Sequence, residues 1–554
     1  MQELNIKFKD GRSEKYNKGI KLIDIANIHK SEYKTDIIIA KVNNSLTELN
    51  EVLQEDCSIE FLTMLSYEAR RIYIRGLSFV LIRAAGEVFL GCNVSIEHSL
   101  NKGIYGEIHK VGRLDEQDVV AVEKRMKEII DADVPFEKHT ISLKQAIEIF
   151  NNYEQKDKLR LLKYWDEDTV DVYKCGEIFD FFYGRMVPST GYLKQFSLLY
   201  YEPGFLLKFP DIYAPSIIPE FEAQRKLFNV FRETEQWCEI LDVGDVGALN
   251  DKISTKDMGE IMRVAEAFHE KKIAKIADMI AERKDKVKII LISGPSSSGK
   301  TTFSKRLSVQ LRVNGLKPYA ISLDDYFLNR EETPKDEEGN PDFESIYALD
   351  LKLLNEHLKK LLNGEEIMLP TFNFIDGKRE LKGNTLKLTE GMILIAEGIH
   401  GLNEILTSEI AAQNKFKIYV SALTQLNIDN HNRIPTTDVR ILRRIVRDNR
   451  TRGRNAETTL LGWSSMRKGE DKNIFPFQEE ADVMFNSTLV YELGVMKKYA
   501  QPLLEQIDNK SNAYSEAERL LKFLSYFLDV DEDEIPQNSI IREFIGRSCF
   551  YSEK

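Results

Sequence analysis

Apolar and polar positions alternate at the start of the chain: Leu4, Ile6 and Phe8 share one face, and the turn pair Asp10-Gly11 follows. That period of two predicts a half-buried strand closed by a turn. A helical stretch near 21–29 and the apolar run Ile37 to Val42 come next, so the first sixty or so residues read as a small β-grasp-like unit. From about 63 to 225 the pattern is mixed α+β. Helical periodicity runs across 118–130 and again across 142–153, where Thr140 or Ser142 supplies the N-cap. A helix is predicted over 256–284, with Met258, Ile261, Met262, Ala265 and Phe268 at three-to-four spacing, and the charged run 282–286 forms a joint. Strands are then predicted at 287–293, 318–323 and 392–396, the first leading into a helix over 302–312. The acidic run 529–534 reads as a solvated loop.

At 554 residues the chain exceeds one hydrophobic core, so about three domains are expected. A hydrophobic share of 42% gives those domains material for packed cores and excludes a disorder-like composition. The net charge of -12 argues against a general nucleic-acid coat, although a local basic patch can hide inside the average. The five cysteines (Cys57, Cys92, Cys175, Cys238, Cys549) are scattered and form no CxxC pair. Their number and spacing point to reduced thiols rather than a disulfide framework or a zinc cluster. The polar N-terminus lacks a signal core, and no run approaches eighteen apolar residues. The expectation is a cytoplasmic, multidomain protein without a membrane span.

The run 287–293 feeds Gly294-Pro295-Ser296-Ser297-Ser298-Gly299-Lys300-Thr301, and helix follows from Thr302. This is the GxxxxGK[ST] phosphate loop in its strand–loop–helix setting. Its glycines permit a tight loop whose N–H groups face phosphate oxygens at the positive end of a helix. Lys300 is placed to reach the terminal phosphates, and the Thr301 hydroxyl to hold Mg²⁺. The next strand ends in Asp324-Asp325-Tyr326-Phe327, where a carboxylate can accept a hydroxyl proton or help place the metal. The strand at 392–396 ends in Glu397, a second candidate metal carboxylate. An arginine-dense helix then carries Arg440, Arg443, Arg444, Arg447, Arg450, Arg452 and Arg454, a composition suited to a lid over phosphates.

Two resemblances organise these motifs. The segment from Gly19 through Ala26 resembles the helix entry of the TGS domain at the front of threonyl-tRNA synthetases, and Ser95 to Gly103 looks like part of the second domain of threonyl- and alanyl-tRNA synthetases. In those enzymes that domain hydrolyses mischarged tRNA through an HxxxH pair and a later Cys/His pair. Here the stretch 67–76 has no histidine, His98 and His109 stand eleven residues apart, and Cys175 has no histidine nearby, so the editing chemistry is read as lost. His98 is then an isolated turn or pocket histidine, or part of a remnant pocket that binds nucleotide, amino acid or RNA. Residues 287 to about 510 resemble the uridine kinase and phosphoribulokinase family. That resemblance implies Asp324 as catalytic base, Asp350 as the holder of ribose hydroxyls, and Arg444, Arg447, Arg452 and Arg454 as lid arginines. It also makes 370–379 a base-recognition loop, in which Phe372 replaces a tyrosine and Gly377 the base-reading histidine. The ending 538–546 is similar to the tail of bacterial kinases that carry this front end.

The resemblance implies an α/β P-loop kinase domain, with a mostly parallel sheet and helices on both faces. A β-grasp TGS-like domain and an α+β editing-like domain precede it. The expected units are 1–62, 63–225, a helical linker at 226–285, the kinase at 286–510 and a helical tail at 511–554. The cofactors implied are ATP and Mg²⁺. ATP is expected on Gly294, Ser296, Ser297, Ser298, Gly299, Lys300, Thr301, Thr302 and Arg454, and the metal on Thr301, Glu397 and Asp324. The expected reaction is transfer of phosphate to a nucleoside 5′-hydroxyl, with Asp324, Lys300, Arg444, Arg447 and Arg452 carrying the chemistry. Asp350, Tyr326, Phe372, Phe374 and Arg379 are expected to face the acceptor. The rivals are a sugar or sugar-phosphate acceptor and a nucleotide- or RNA-sensing regulator. RNA contact by the front domains stays open, as does a homo-oligomer.

Overall fold

A computed structural model describes residues 3–335, 339, 341–373, 376–424 and 426–551. The alternating opening forms β1 (Glu3–Phe8) and β2 (Ser13–Asn17). After α1 (Leu22–His29) come β3 (Ile37–Val42), β4 (Ser45–Thr47) and β5 (Cys57–Thr63). They make a five-stranded sheet of order β2-β1-β5-β3-β4, with β1 and β5 parallel. Leu22, Ile25 and Ala26 of the helix pack with Ile6, Ile37 and Ile59 of the sheet, which is the β-grasp arrangement.

The second unit opens with the long helix α2 (Tyr67–Val88), β6 (Asn93–Leu100), β7 (Gly103–His109) and α3 (Glu116–Asp131). There follow β8 (Phe136–Ser142), α4 (Leu143–Asn152), α5 (Lys156–Leu162), β9 (Thr169–Cys175), β10 (Ile178–Asp180), β11 (Ser197–Tyr201) and β12 (Gly204–Lys208). Its strands form two sheets, β11-β12-β7-β6 and β10-β9-β8. Of the two caps weighed for α4, Ser142 is the one used: its hydroxyl accepts from Gln145 N–H while the Gln145 side chain returns to the Ser142 backbone.

The stretch expected as a linker forms α6 (Arg225–Ile240), α7 (Val246–Ser254) and α8 (Met258–Ala281). Its apolar faces do not hang between units. Ile261, Met262, Ile273 and Ile280 of α8 share one core with Phe303, Leu307 and Leu311 of the helix that follows the phosphate loop.

That loop lies between β13 (Ile289–Ser293) and α9 (Lys300–Val313). Beyond it are β14 (Lys317–Ser322), α10 (Leu351–Leu362), β15 (Glu366–Asn373), β16 (Lys378–Lys387), β17 (Met392–Glu397), β18 (Lys415–Ser421), β19 (Asn427–Asp429) and β20 (Asn432–Arg433). The chain continues through α11 (Thr436–Arg452), α12 (Ala456–Leu461), α13 (Trp463–Asn473), β21 (Val483–Asn486), α14 (Glu492–Leu504), α15 (Tyr514–Ser525) and α16 (Arg542–Ile545). The main sheet has the order β14-β17-β13-β18-β21 and is parallel throughout. Its central strands are buried on both faces, which explains their unbroken apolar runs. Parallel strands end on one edge, so the loop after β13, the Asp324 turn after β14 and Glu397 at the end of β17 meet there.

Two expectations change. The arginine-dense helix stops at Arg452, because Gly453 takes a left-handed conformation (φ 63°) that closes α11 and leaves Arg454 beyond it. The acidic run 529–534 is not wholly solvated. Val530 and Glu532 are buried, Glu532 accepts from the Tyr499 hydroxyl, and its carbonyl accepts from Arg542 at 2.8 Å. Among the described residues no helix is long and apolar enough to cross a membrane.

Candidate phosphoryl-transfer site

Glycine is required at both ends of the phosphate loop. A Cβ on Gly294 would fall 1.9 Å from the Val420 carbonyl oxygen. Gly299 has φ +83°, and its Cβ would meet Ile540 at 2.6 Å. Between them the Ser297 and Ser298 hydroxyls are buried without a hydrogen-bond partner, an orphaned polar lining of the kind a bound phosphate satisfies. Lys300 Nζ donates to the carbonyls of Gly294 (2.8 Å) and Pro295 (3.1 Å). Burial pulls its ammonium below the ordinary lysine value, against the charges of Glu397 and Asp324.

Thr301 Oγ1 donates to the Glu397 carboxylate, 3.0 and 3.2 Å from its two oxygens. Burial pushes the Glu397 carboxyl up to about 7, with the nearby Asp324 charge adding to the shift and Lys300 opposing it. These oxygens form the donor set that suits a hard divalent cation. Burial also raises Asp324, against the pull of Lys300. Its neighbour Asp325 has a structural task, accepting the Phe372 N–H at 3.1 Å and so tying β15 to the turn. Two carboxyls raised by desolvation beside a buried lysine mark a site built for proton and charge handling.

The arginines of α11 divide into two groups. Arg440 and Arg443 are fully buried and grip the loop from behind. Arg440 Nε donates to the Ser296 carbonyl (3.0 Å) and pairs with Glu470; Arg443 donates to the Ser297 carbonyl (3.3 Å) and is held by both oxygens of Glu492 at 2.7 Å. Neither is free to serve in a lid, because burial without those carboxylates would be prohibitive. Arg444 reaches Ser296 Oγ at 3.1 Å. Arg444, Arg447 and Arg452 share one buried carboxylate, Asp448, at 3.3–3.4 Å. Arg454 donates its backbone N–H to the Asp448 backbone carbonyl at 3.1 Å.

Of the residues expected to face the acceptor, Asp350 caps α10 through Leu353 N–H (2.9 Å), and its other oxygen pairs with Arg379 at 3.0 Å. Phe372 lies 5.7 Å from Phe327, centroid to centroid. Tyr326 is a packing residue rather than a stacking surface: it is 1% exposed, and its hydroxyl meets His357 Nδ1 at 3.1 Å. Phe374 lies outside the described residues. Gly377 has φ +66°, and a Cβ there would meet the Arg330 side chain at 2.7 Å.

Three participants escape sequence reasoning. Glu470 of α13 accepts the Ser296 N–H at 2.9 Å. Glu344, in contact with Gly469 of the same helix, is pushed up to about 7 by burial and by repulsion from Glu470. The tail covers the start of α9: Glu543 accepts from Thr302 N–H (3.2 Å) and Thr302 Oγ1 (2.7 Å), and Thr302 Oγ1 also meets the Tyr551 hydroxyl at 3.1 Å. Glu344 and Glu543 fall within segments that resemble the kinase family, but no local pattern assigns them or Glu470 to the loop, since each is brought there from more than forty positions away.

His98 is not a turn residue. It lies within β6, buried and stacked on Phe231 of α6 at 3.7 Å and 13°, and burial drives its imidazole down to about 3.

A parallel sheet with a phosphate loop at its carboxyl edge, and carboxylates at the ends of the neighbouring strands, is the arrangement of a P-loop kinase. Residues 289–492 form a domain of the phosphoribulokinase / uridine kinase family, and residues 4–63 form a TGS domain. The chain is 33% identical over 200 residues to a threonine–tRNA ligase of Thermotoga sp. (strain RQ2), a match that covers 36% of this chain and 30% of that one. The chain thus spans about 30% of the length of the curated relatives it matches. Among solved structures, one described as a "Possible Uridine Kinase" from Bacillus stearothermophilus is 18% identical, covering 38% of this chain and 97% of its own with a TM-score of 0.26. A D-glycerate 3-kinase from Cryptococcus neoformans is 14% identical, covering 52% and 87% with a TM-score of 0.21.

Proposed function

We propose that the protein transfers phosphate from Mg-ATP to a primary hydroxyl of a small molecule, with a nucleoside 5′-hydroxyl as the preferred acceptor. The observation that carries this reading is the convergence of Lys300, Asp324, Glu397 and Thr301 at one sheet edge. Bound there, Mg-ATP supplies the transferable phosphoryl group. Thr301 and Glu397 hold the cation, and ionisation of Glu397 accompanies its binding. Lys300, Arg444, Arg447 and Arg452 set positive charge around the transferring group, the arginines turning from Asp448. Asp324 takes the proton of the acceptor hydroxyl.

Asp350 and Arg379, fixed against each other, offer a hydrogen-bonding pair to acceptor hydroxyls, and Phe372 offers an apolar wall. Gly377 shapes specificity by exclusion. Its left-handed backbone and the adjacent Arg330 leave no room for a larger side chain there, so the acceptor's base meets different chemistry from that of a histidine-bearing loop. The test is ATP consumption with Mg²⁺ against a panel of nucleosides, sugars and sugar phosphates, with Asp324→Asn in parallel. Turnover that depends on uridine or cytidine and is lost in the variant supports the nucleoside reading. Turnover with a sugar alone keeps the mechanism and discards the nucleoside. Nucleotide binding without any acceptor-dependent turnover discards both.

A further inference from the structure

Where the second unit and the kinase unit meet, three arginines stand with little or no carboxylate pairing. The hairpin of β19 and β20 docks there, with Ile96 N–H donating to the Asn430 carbonyl at 2.7 Å. Arg433 stands at the end of that hairpin, Arg70 comes from α2 and Arg467 from α13. Among the described residues the Arg70 and Arg433 side chains make no hydrogen bond or ion pair, and Nε of both Arg70 and Arg467 is buried without a partner. Arg467 approaches Asp471 only at 3.9 Å and otherwise lies over the Tyr67 ring at 5.3 Å; Arg70 lies over Phe209 at 5.2 Å. The three guanidiniums are close enough to feel one another, and Arg433 senses both of the others.

Of the nearby carboxylates, Asp211 and Asp438 are paired with other cations, and Asp471 keeps its charge beside Arg467. Asp211 pairs with Lys102. Asp471 accepts the hydroxyls of Tyr67 (3.2 Å) and Tyr213 (3.1 Å). Asp438 is gripped by both arms of Arg519 at 2.7 and 2.9 Å. In a chain of net charge -12, this leaves three partly desolvated guanidiniums whose charge Asp471, Asp211 and Asp438 offset only in part. Leaving such charge unpaired costs free energy that a matching anion would recover. Guanidinium forks match the paired oxygens of phosphate bidentately, and a phosphate group carries more charge than a single carboxylate to set against three of them.

We propose that this junction is a binding site for a small phosphate-bearing anion, separate from the phosphate loop, with Arg70, Arg433 and Arg467 as its ligands and Tyr67 and Phe209 as its aromatic walls. The occupant also bears on the kinase. Arg467 and Asp471 flank Glu470 on α13, and Glu470 accepts the Ser296 N–H of the phosphate loop. A ligand that draws Arg467 inward therefore reaches the loop through one helix, and this gives the synthetase-like front end a direct line to the nucleotide.

The test is calorimetric titration of the full chain with inorganic pyrophosphate at 150 mM salt, which screens exposed charges. The wild type is expected to show two classes of site. Lys300→Ala, which weakens the phosphate loop, is expected to keep one. Adding Arg433→Gln to Lys300→Ala should weaken the remaining site at least ten-fold, whereas Arg433→Lys should retain part of it by keeping the charge and losing the fork. If Arg433→Gln does not fold, as judged by its melting curve, the partly exposed Arg467→Gln serves in its place. The proposal is overturned if Lys300→Ala shows no saturable binding, or if its binding is unchanged by both glutamine variants and is thus adventitious.

Discussion

The transfer site and the nest around His98 are both buried polar clusters, yet they are built on opposite terms. Around Lys300 the polar groups face one another, Asp324 and Glu397 are raised by desolvation, and two serine hydroxyls lack partners. Around His98 the neighbours are Phe231, Phe228 and Tyr105, and α6 fills the space in front of the ring. The first cluster keeps electrostatic tension that a ligand relieves. The second holds its histidine neutral among packed rings, and although His98 Nε2 also lacks a partner, no opposing charge is held against it. A buried titratable residue is thus a sign of function where its surroundings leave charge unspent, not merely where one ring nitrogen goes unpartnered.

That contrast breaks most readily at Asp324. Asp324→Asn should lower acceptor-dependent turnover by about 10²–10⁴-fold while leaving the melting temperature near that of the wild type. A variant that keeps full turnover would place the base elsewhere. The pH dependence of Glu397 sharpens the same side. Its folded value near 7 lies above that of an unfolded glutamate, so the metal-free fold binds the proton more tightly than the unfolded chain. Stability from this group is therefore fullest below the unfolded value and declines as pH rises toward 7. The melting temperature without metal should fall over that window, and Mg²⁺ affinity should rise by up to about ten-fold per pH unit until the carboxyl is ionised. Glu397→Gln should flatten both trends.

On the other side, His98→Ala should cost about 1–3 kcal/mol of stability, read by denaturant unfolding, and change turnover less than two-fold. A large loss of turnover without a loss of stability would restore a functional pocket there. The smallest effect concerns the tail. Glu543 accepts the Thr302 N–H and hydroxyl in the first turn of α9, where a helix start favours an anion. Glu543→Gln should tighten ATP binding by a few-fold in calorimetry, because a neutral amide yields that position more easily than a carboxylate.

The phosphate loop, the three strand ends beside it and the β-grasp opening were legible in the chain, because each rests on local chemistry. Gly294 and Gly299 are demanded by backbone conformation, and the unbroken apolar strands by burial on both faces. The alternation of Leu4, Ile6 and Phe8 is demanded by burial on one. The arginine-rich helix was legible only as composition. Charge alone cannot separate Arg440 and Arg443, which brace the loop from within the core, from Arg444, Arg447 and Arg452, which wait on Asp448.

Tertiary structure alone decided the rest. Glu470, Glu543, the aromatic nest that disarms His98 and the meeting of Arg70 with Arg433 and Arg467 join positions tens to hundreds of residues apart. Their properties come from desolvation and from neighbours, and neither is written in any local stretch of sequence. The sequence by itself determined which chemistry the chain carries; the packing of the front units against the kinase decided which charged groups are braced, which are silenced and which are left wanting a partner.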